Sequence, residues 1–308
     1  IIVTADDFSS NPVSASCEIG VKIVTPITGM TFTEDTELNQ LGYGQEYQIK
    51  YTLEPVDATA SLLTWASDNP EVISVDKTGK LKVHTTKTAS AVITASYGPV
   101  VQNVTVTVAD GRFWYSLGNG LGNGLDNNWY LDGNNASVVS SDGNKTTVQM
   151  GSGYRGDLWL ARSGKGKIVN VTPADYRYFA IKVGFKSQLV PGKNKPNGCI
   201  KLEIFDDGIK KIGPEYFGTG GDANNRYEIL GASEISTTEP NVLYYDLQSK
   251  YKTVTPTDWN QVFDLVQCKF VIADFPETAQ TYDLYWIRSF KSIEELQAFV
   301  DSENNTNE

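Results

Sequence analysis

Histidine is almost missing from this chain of 308 residues: His84 is the only one. Imidazole is the commonest metal ligand and acid–base group near neutral pH, so a zinc centre or histidine-based catalysis is not expected. Cysteine is scarce too, present only as Cys17, Cys199 and Cys268, which is too few for a disulfide scaffold. Cys199 and Cys268 either pair or stay buried thiols. The second reading is favoured, because free cysteine is among the most buried residue types. Basic residues are outnumbered, 26 Lys and Arg against 37 Asp and Glu, for a net charge of −11. With no basic block, nucleic acid and anionic membranes are not expected partners. No run approaches the roughly 20 apolar residues that span a bilayer, so no transmembrane segment is expected. The chain opens on Ile1 without a signal-peptide pattern, and any leader is expected to have been removed.

What is present points to strands. Hydrophobic residues make up 40% of the chain, enough for packed cores rather than disorder. Tyr47, Ile49, Tyr51 and Leu53 alternate with polar residues, as do Val104, Val106 and Val108. That period of two marks half-buried antiparallel strands. Short strands at Leu63–Trp65, Val72–Val75, Leu81–Val83 and Ala91–Ala95 complete a β-sandwich pattern over residues 24–109. A boundary is expected at Ala109-Asp110-Gly111. Beyond it, strands are expected at Thr147–Met150, Leu158–Ala161, Phe179–Phe185, Ile200–Phe205, Tyr227–Leu230, Val242–Leu247, Cys268–Ala273 and Tyr282–Phe290. Eight strands joined by long connections suggest a jelly roll over residues 110–300. One helix closes the chain: Ser292 and Glu295 form a capping box, and Ile293, Leu296, Phe299 and Val300 form an apolar stripe. Residues 301–308 read as a disordered tail, and residues 1–23 as a tether or remnant segment. The fold class expected is all-β, an Ig-like β-sandwich followed by a larger jelly roll with a short C-terminal helix.

The run Thr64-Trp65-Ala66-Ser67-Asp68-Asn69-Pro70-Glu71-Val72-Ile73-Ser74-Val75-Asp76, followed by Thr78-Gly79-Lys80-Leu81, resembles the bacterial Ig-like domain, group 2. The resemblance covers residues 24–109 and implies a spacer or adhesive module without catalytic residues. Trp65 would be a core plug, Asn69-Pro70 and Thr78-Gly79 turns, and His84 a structural or surface residue. More weakly, Tyr176-Arg177-Tyr178-Phe179, Tyr244-Tyr245-Asp246-Leu247 and Tyr282–Phe290 resemble strands of galactose-binding-like carbohydrate modules. Tyr285 stands where many of those modules carry an Asp before the Trp. The order of the two modules is similar to surface glycan-binding lipoproteins of gut bacterial polysaccharide-utilisation systems. That resemblance implies a secreted or outer-membrane location and other glycan-uptake proteins as partners.

Five of the six tryptophans follow residue 110, namely Trp114, Trp129, Trp159, Trp259 and Trp286. Sugar rings stack their C–H faces on such planes while neighbouring polar groups bond the hydroxyls. Three loop clusters fit that chemistry: Asn128 with Trp129 and Tyr130; Tyr154 with Arg155 and Asp157; and Tyr216 with Arg226. Trp129 leads as the stacking residue, and packing inside an Ω-loop is the alternative role. Trp286, in a regular strand, reads as core. The repeat Leu117-Gly118-Asn119-Gly120-Leu121-Gly122-Asn123-Gly124-Leu125 reads as a loop around a sheet edge. Gly151–Gly156 satisfies G-x-G-x-x-G, but Asp157–Ala161 continues as strand where a nucleotide site needs a helix. No cofactor is expected. Asp126, Asp132, Asp206, Asp207 and Asp283 are candidates for a structural Ca²⁺, weighed against a role as turn-capping side chains. The expected function is non-catalytic polysaccharide binding. The alternatives are protein–protein adhesion and a carboxylate-based glycoside hydrolase.

Overall fold

The computed structural model describes residues 2–5, 13–16, 23–124, 128–131, 136–151, 156–162, 169–189, 201–206, 227–248, 259–272 and 280–305. The described residues are all-β, their strands antiparallel except for one parallel pairing, with one α-helix, Ile293–Asn305. Strands Ile2–Ala5 and Val13–Ser16 pair with each other within the N-terminal stretch.

Residues 23–109 build a β-sandwich around Leu38, Leu41, Ile49, Ile73, Leu81, Ile93, Val106 and Val108. Strand Lys80–Val83 lies between Glu46–Gln48 and Ile73–Val75, and strand Ala89–Tyr97 pairs with both Thr64–Ser67 and Val100–Ser116. The alternating run from Tyr47 to Leu53 is not one strand. It divides into Glu46–Gln48 and Tyr51–Glu54, which belong to different sheets. Ile49, 2% exposed, is the apolar peg at the crossing, and its N–H donates to Gly79 O. Trp65 packs on Phe32 and Tyr51 as expected of a plug, with Gly79 close beneath its ring. His84 is structural: its Nε2 lies 2.8 Å from Ser74 Oγ, and burial leads the depression of its pKa.

The expected boundary at residues 109–111 lies inside the 17-residue strand Val100–Ser116. Its first half pairs with Ala89–Tyr97, and its last residues, Trp114–Ser116, pair with Thr281–Phe290. Gly111, at φ +65°, turns the strand where a Cβ would fall 2.6 Å from the Thr172 backbone nitrogen. Side chains tie the two parts together at the junction. Strand Leu41–Tyr43 runs parallel to the long strand, and Tyr43 stacks on Tyr115 with ring centroids 5.4 Å apart. Thr86 Oγ1 donates to Asn170 Oδ1 at 2.7 Å and accepts from Asn170 N at 3.0 Å.

The second part is two facing sheets. One runs Glu228–Ile229, Asn241–Asp246, Tyr178–Phe185, Thr281–Phe290 and the end of Val100–Ser116, with Thr146–Met150 also on Thr281–Phe290. The other centres on Phe263–Ile272, flanked by Gly156–Ala161, Val169–Val171 and Lys201–Asp206. Their inner faces enclose a core that includes Phe113, Phe179, Ile181, Val183, Phe270, Leu284 and Ile287. Buried apolar area of this extent is what stabilises a two-layer fold.

Every strand expected after residue 140 has a counterpart, Cys268–Ala273 within one that already begins at Phe263; the sequence reading missed Tyr130–Leu131, Ala136–Ser141 and Val169–Val171. The closing helix starts as expected: Glu295 N donates to Ser292 Oγ at 3.2 Å, and Glu295 Oε2 accepts from Lys291 N at 2.6 Å. Its end does not follow the expected tail, because the helix continues through Asn305. Cys268 is a buried free thiol whose pKa burial pushes up; Cys17 and Cys199 lie outside the described residues.

Candidate functional site

The site follows from the period of two on three neighbouring strands. Phe113, Tyr115, Ile181 and Ile287 point into the sandwich, so Trp114, Ser116, Lys182, Trp286 and Arg288 face outward. Cross-strand pairing then sets the rows. Ala180, Arg288 and Trp114 lie side by side in one row, and Lys182, Trp286 and Ser116 in the next. Small Ala180 and Ser116 leave room beside the large side chains.

The helix Ile293–Asn305 lies over this outer face, with Leu296 and Phe299 packed on Trp114, Trp286 and Phe290. Phe299 meets Trp114 edge-on at 5.1 Å and Trp286 at 5.6 Å. Glu303, in the last turns of the helix, accepts from Trp286 Nε1 at 3.0 Å and from Lys182 Nζ at 3.1 Å. Those two bonds explain why a polar segment stays helical. Sequence reasoning missed Glu303 because its partners are remote in the chain.

Past the edge of the helix the outer face opens into a cleft of about 520 Å³ between the two parts of the chain. The N-terminal part contributes Gly44, Glu46, Lys80 and Lys82 to its wall. The second part contributes Trp114, Tyr115, Ser116, Asn119, Asn128 and Arg288, and Gly120–Gly122 form the rim. A neighbouring hollow of about 840 Å³ shares Ser116, Gly143 and Arg288 and extends to Lys182, Tyr285 and Glu303. The glycine-rich loop is fixed rather than loose: Gly143 N donates to Gly118 O at 3.0 Å and Gly122 N to Trp129 O at 2.6 Å. Gly44, at φ +79°, lets the two parts meet, since a Cβ there would sit 2.2 Å from Tyr115 Cδ2.

Charge in the cleft is unlike that of the chain. Lys80, Lys82 and Arg288 line it against the single carboxylate of Glu46, which is ion-paired with Lys80. Arg288 lies against the rings of Trp114 and Phe299, 4.3 and 4.1 Å from their centroids, and burial pushes its pKa down to about 10. Arg112 lies over the same Trp114 ring at 5.0 Å, with its Nη2 bonded to Glu37 at 2.9 Å.

The sequence-derived candidates fare differently. Asn128 lines the cleft, and its Oδ1 accepts from Tyr115 Oη at 2.8 Å. Tyr130 is half-buried in strand Tyr130–Leu131, with its ring against Gly124. Trp129 is corrected: it is fully buried, tilted on Phe270 at 5.7 Å, and offers no face to a sugar. Its polar flanks suggested exposure, but its ring enters the core beside Phe270. Asp157 is corrected as well. It is buried in an ion pair with Lys269 at 2.9 Å, where the pairing strand Phe263–Ile272 supplies the cation. Tyr154, Arg155, Tyr216 and Arg226 lie outside the described residues. Among the Ca²⁺ candidates, Asp283 is taken up by Lys145 at 2.8 Å, Lys186 at 2.9 Å and Thr147 at 2.7 Å. Asp126, Asp132 and Asp207 lie outside the described residues, as does the Asp206 side chain. The described residues contain no cluster of three metal-ligating side chains, and no helix among them is long and apolar enough to cross a membrane. The missed residues, Trp114 and Arg288, were signalled by alternation along Tyr282–Phe290 and its partner strand.

The family described as Domain of unknown function (DUF4979) matches residues 120–296, over half of the chain. No curated protein matches the sequence. Two solved structures from Clostridium perfringens ZmpB show a distant likeness. One, the M60 catalytic domain with the CBM51-1 and CBM51-2 domains, is 13% identical over 91% of this chain and 23% of that one, with a TM-score of 0.22. The other, CBM51-2 with INT domains, is 10% identical over 84% of this chain and 48% of that one, with a TM-score of 0.17. This chain thus spans about a quarter and about half of those chains.

Proposed function

The chain belongs to the DUF4979 family, and we propose that it is a non-catalytic glycan-binding protein whose ligand lies in the cleft between its two parts. One observation carries this reading: an open, largely polar cleft holds the half-buried Trp114 beside Asn119, Asn128 and charged side chains. Aromatic planes with convergent amide and charged groups match the alternating apolar faces and hydroxyl edges of sugar rings. Glu46 is the one carboxylate among the lining residues and is ion-paired, which speaks against a hydrolase needing two carboxyls across the bond. The N-terminal sandwich, with its resemblance to group 2 bacterial Ig-like domains, holds the second part away from an anchoring surface. A secreted or outer-membrane lipoprotein working beside other glycan-uptake proteins fits that arrangement.

Affinity electrophoresis of the intact chain in gels carrying a panel of polysaccharides tests the reading. Retardation by at least one polymer without release of reducing sugar is expected. Migration unchanged in every gel would leave adhesion to other proteins as the better reading, and released sugar would favour the hydrolase.

A further inference from the structure

Arg288 is a cation placed at some cost. Its side chain is 14% exposed, and its Nε is buried without a hydrogen-bond partner among the described residues. Glu303 forms an ion pair with it, Oε1 to Nη1 at 3.7 Å, but without a hydrogen bond at that distance, and the other oxygen, Oε2, is bonded by Trp286 and Lys182. The rings of Trp114 and Phe299 position the guanidinium plane, but a ring face does not saturate five N–H donors. The ion pair with Glu303 leaves guanidinium donors without acceptors, and an anionic ligand group supplies them.

The opposite wall supplies a second cation. Lys82, on strand Lys80–Val83 of the N-terminal part, lines the same cleft and has no carboxylate within 4.0 Å among the described residues. Its neighbour Lys80 is neutralised by Glu46. The cleft is therefore locally positive in a chain whose net charge is −11. Generic electrostatics would repel a polyanion from such a protein, so attraction has to come from this one place.

We propose that the cleft takes a saccharide bearing a carboxylate or sulfate, its anionic group received by Arg288 of the second part and Lys82 of the first. The inference rests on the glycan-binding reading and makes the N-terminal sandwich a contributor to the site as well as a support. Guanidinium recognises the planar carboxylate of a uronic acid and the oxygens of a sulfate ester through paired N–H donors, while the ammonium adds a point charge. The sugar hydroxyls would bond the amides of Asn119 and Asn128, beside the half-buried Trp114 whose ring Arg112 and Arg288 hold.

The test is affinity electrophoresis of the intact chain with polygalacturonate, alginate, chondroitin sulfate and, as neutral polymers, dextran and xyloglucan. Retention by a uronate or a sulfated polymer at low salt is expected, and which of the two retains it identifies the anionic group. Lys82→Glu should weaken that retention about tenfold or more, and Lys82→Gln less, with melting temperature unchanged. Because Arg288 packs on aromatic rings, Arg288→Met is read alongside its thermal melt, and it should lose retention while still folded. Binding to neutral polymers alone, insensitive to Lys82→Glu and to salt, would overturn the anionic inference and leave the glycan reading standing. No retention by any polymer would overturn both.

Discussion

Truncating Trp129 separates a core residue from a sugar platform. The indole is fully buried among Leu158, Phe270 and their neighbours, with its Nε1 unpaired among the described residues. Removing a buried Trp side chain costs roughly 3–5 kcal/mol through lost burial and the cavity left behind. For a unit of this size each kcal/mol lowers the melting temperature by about 2–4 °C, so Trp129→Ala should melt roughly 6–20 °C below the natural chain. Trp129→Phe removes a buried donor that has no acceptor, and it should recover about half of that loss. Circular dichroism melts of the three proteins measure the effect. Below its melting temperature Trp129→Ala should still bind any glycan that the natural chain binds. A variant with an unchanged melt that has lost glycan retention would refute the burial argument and restore Trp129 as a stacking surface.

Other expectations follow from the same contacts. Asp157→Ala removes the carboxylate ion-paired with Lys269, which is 7% exposed, and should cost about 3–5 kcal/mol by chemical denaturation. Replacing both residues by apolar ones should cost much less. Gly44→Ala puts a Cβ against Tyr115 at positive φ and should destabilise by about 1–3 kcal/mol, seen as a shift in urea midpoint. Asp283 is 1% exposed; burial alone would raise its pKa, but hydrogen bonds from Lys145, Lys186 and Thr147 outweigh that and hold it below the usual carboxylate range. A depressed pKa contributes stability above the unfolded value of about 3.9 and loses it as pH falls through the folded value. Asp283→Asn should therefore melt lower at pH 7, and the difference should shrink as pH drops below about 4.

The fold was legible where local pattern and tertiary environment agree. Thr147–Met150, Phe179–Phe185 and Tyr282–Phe290 carry their own alternation or apolar runs, and each forms where expected. The run Tyr47–Leu53 misled because alternation does not say when a chain changes sheets; Ile49 is apolar in either case. The helix end at Glu303 was hidden because its stabilising partners, Lys182 and Trp286, lie far off in sequence. The site was harder still. Trp129 has polar neighbours in sequence and is buried against the remote Phe270, while Trp114 looks like an ordinary strand residue and lines the cleft. Asn128 alone among the named candidates with described side chains lies in the cleft wall, through its bond to Tyr115. A cleft assembled from two parts of a chain leaves no contiguous motif to read.

The most direct measurement fills the cleft and leaves the core untouched. Ser116 is exposed at the end of the long strand and lines both hollows. Ser116→Trp should leave the melting temperature in place and lower affinity for the retained polysaccharide about tenfold or more, by isothermal titration calorimetry. Equal affinity with the cleft filled would mean that the glycan binds elsewhere, and would contradict the account.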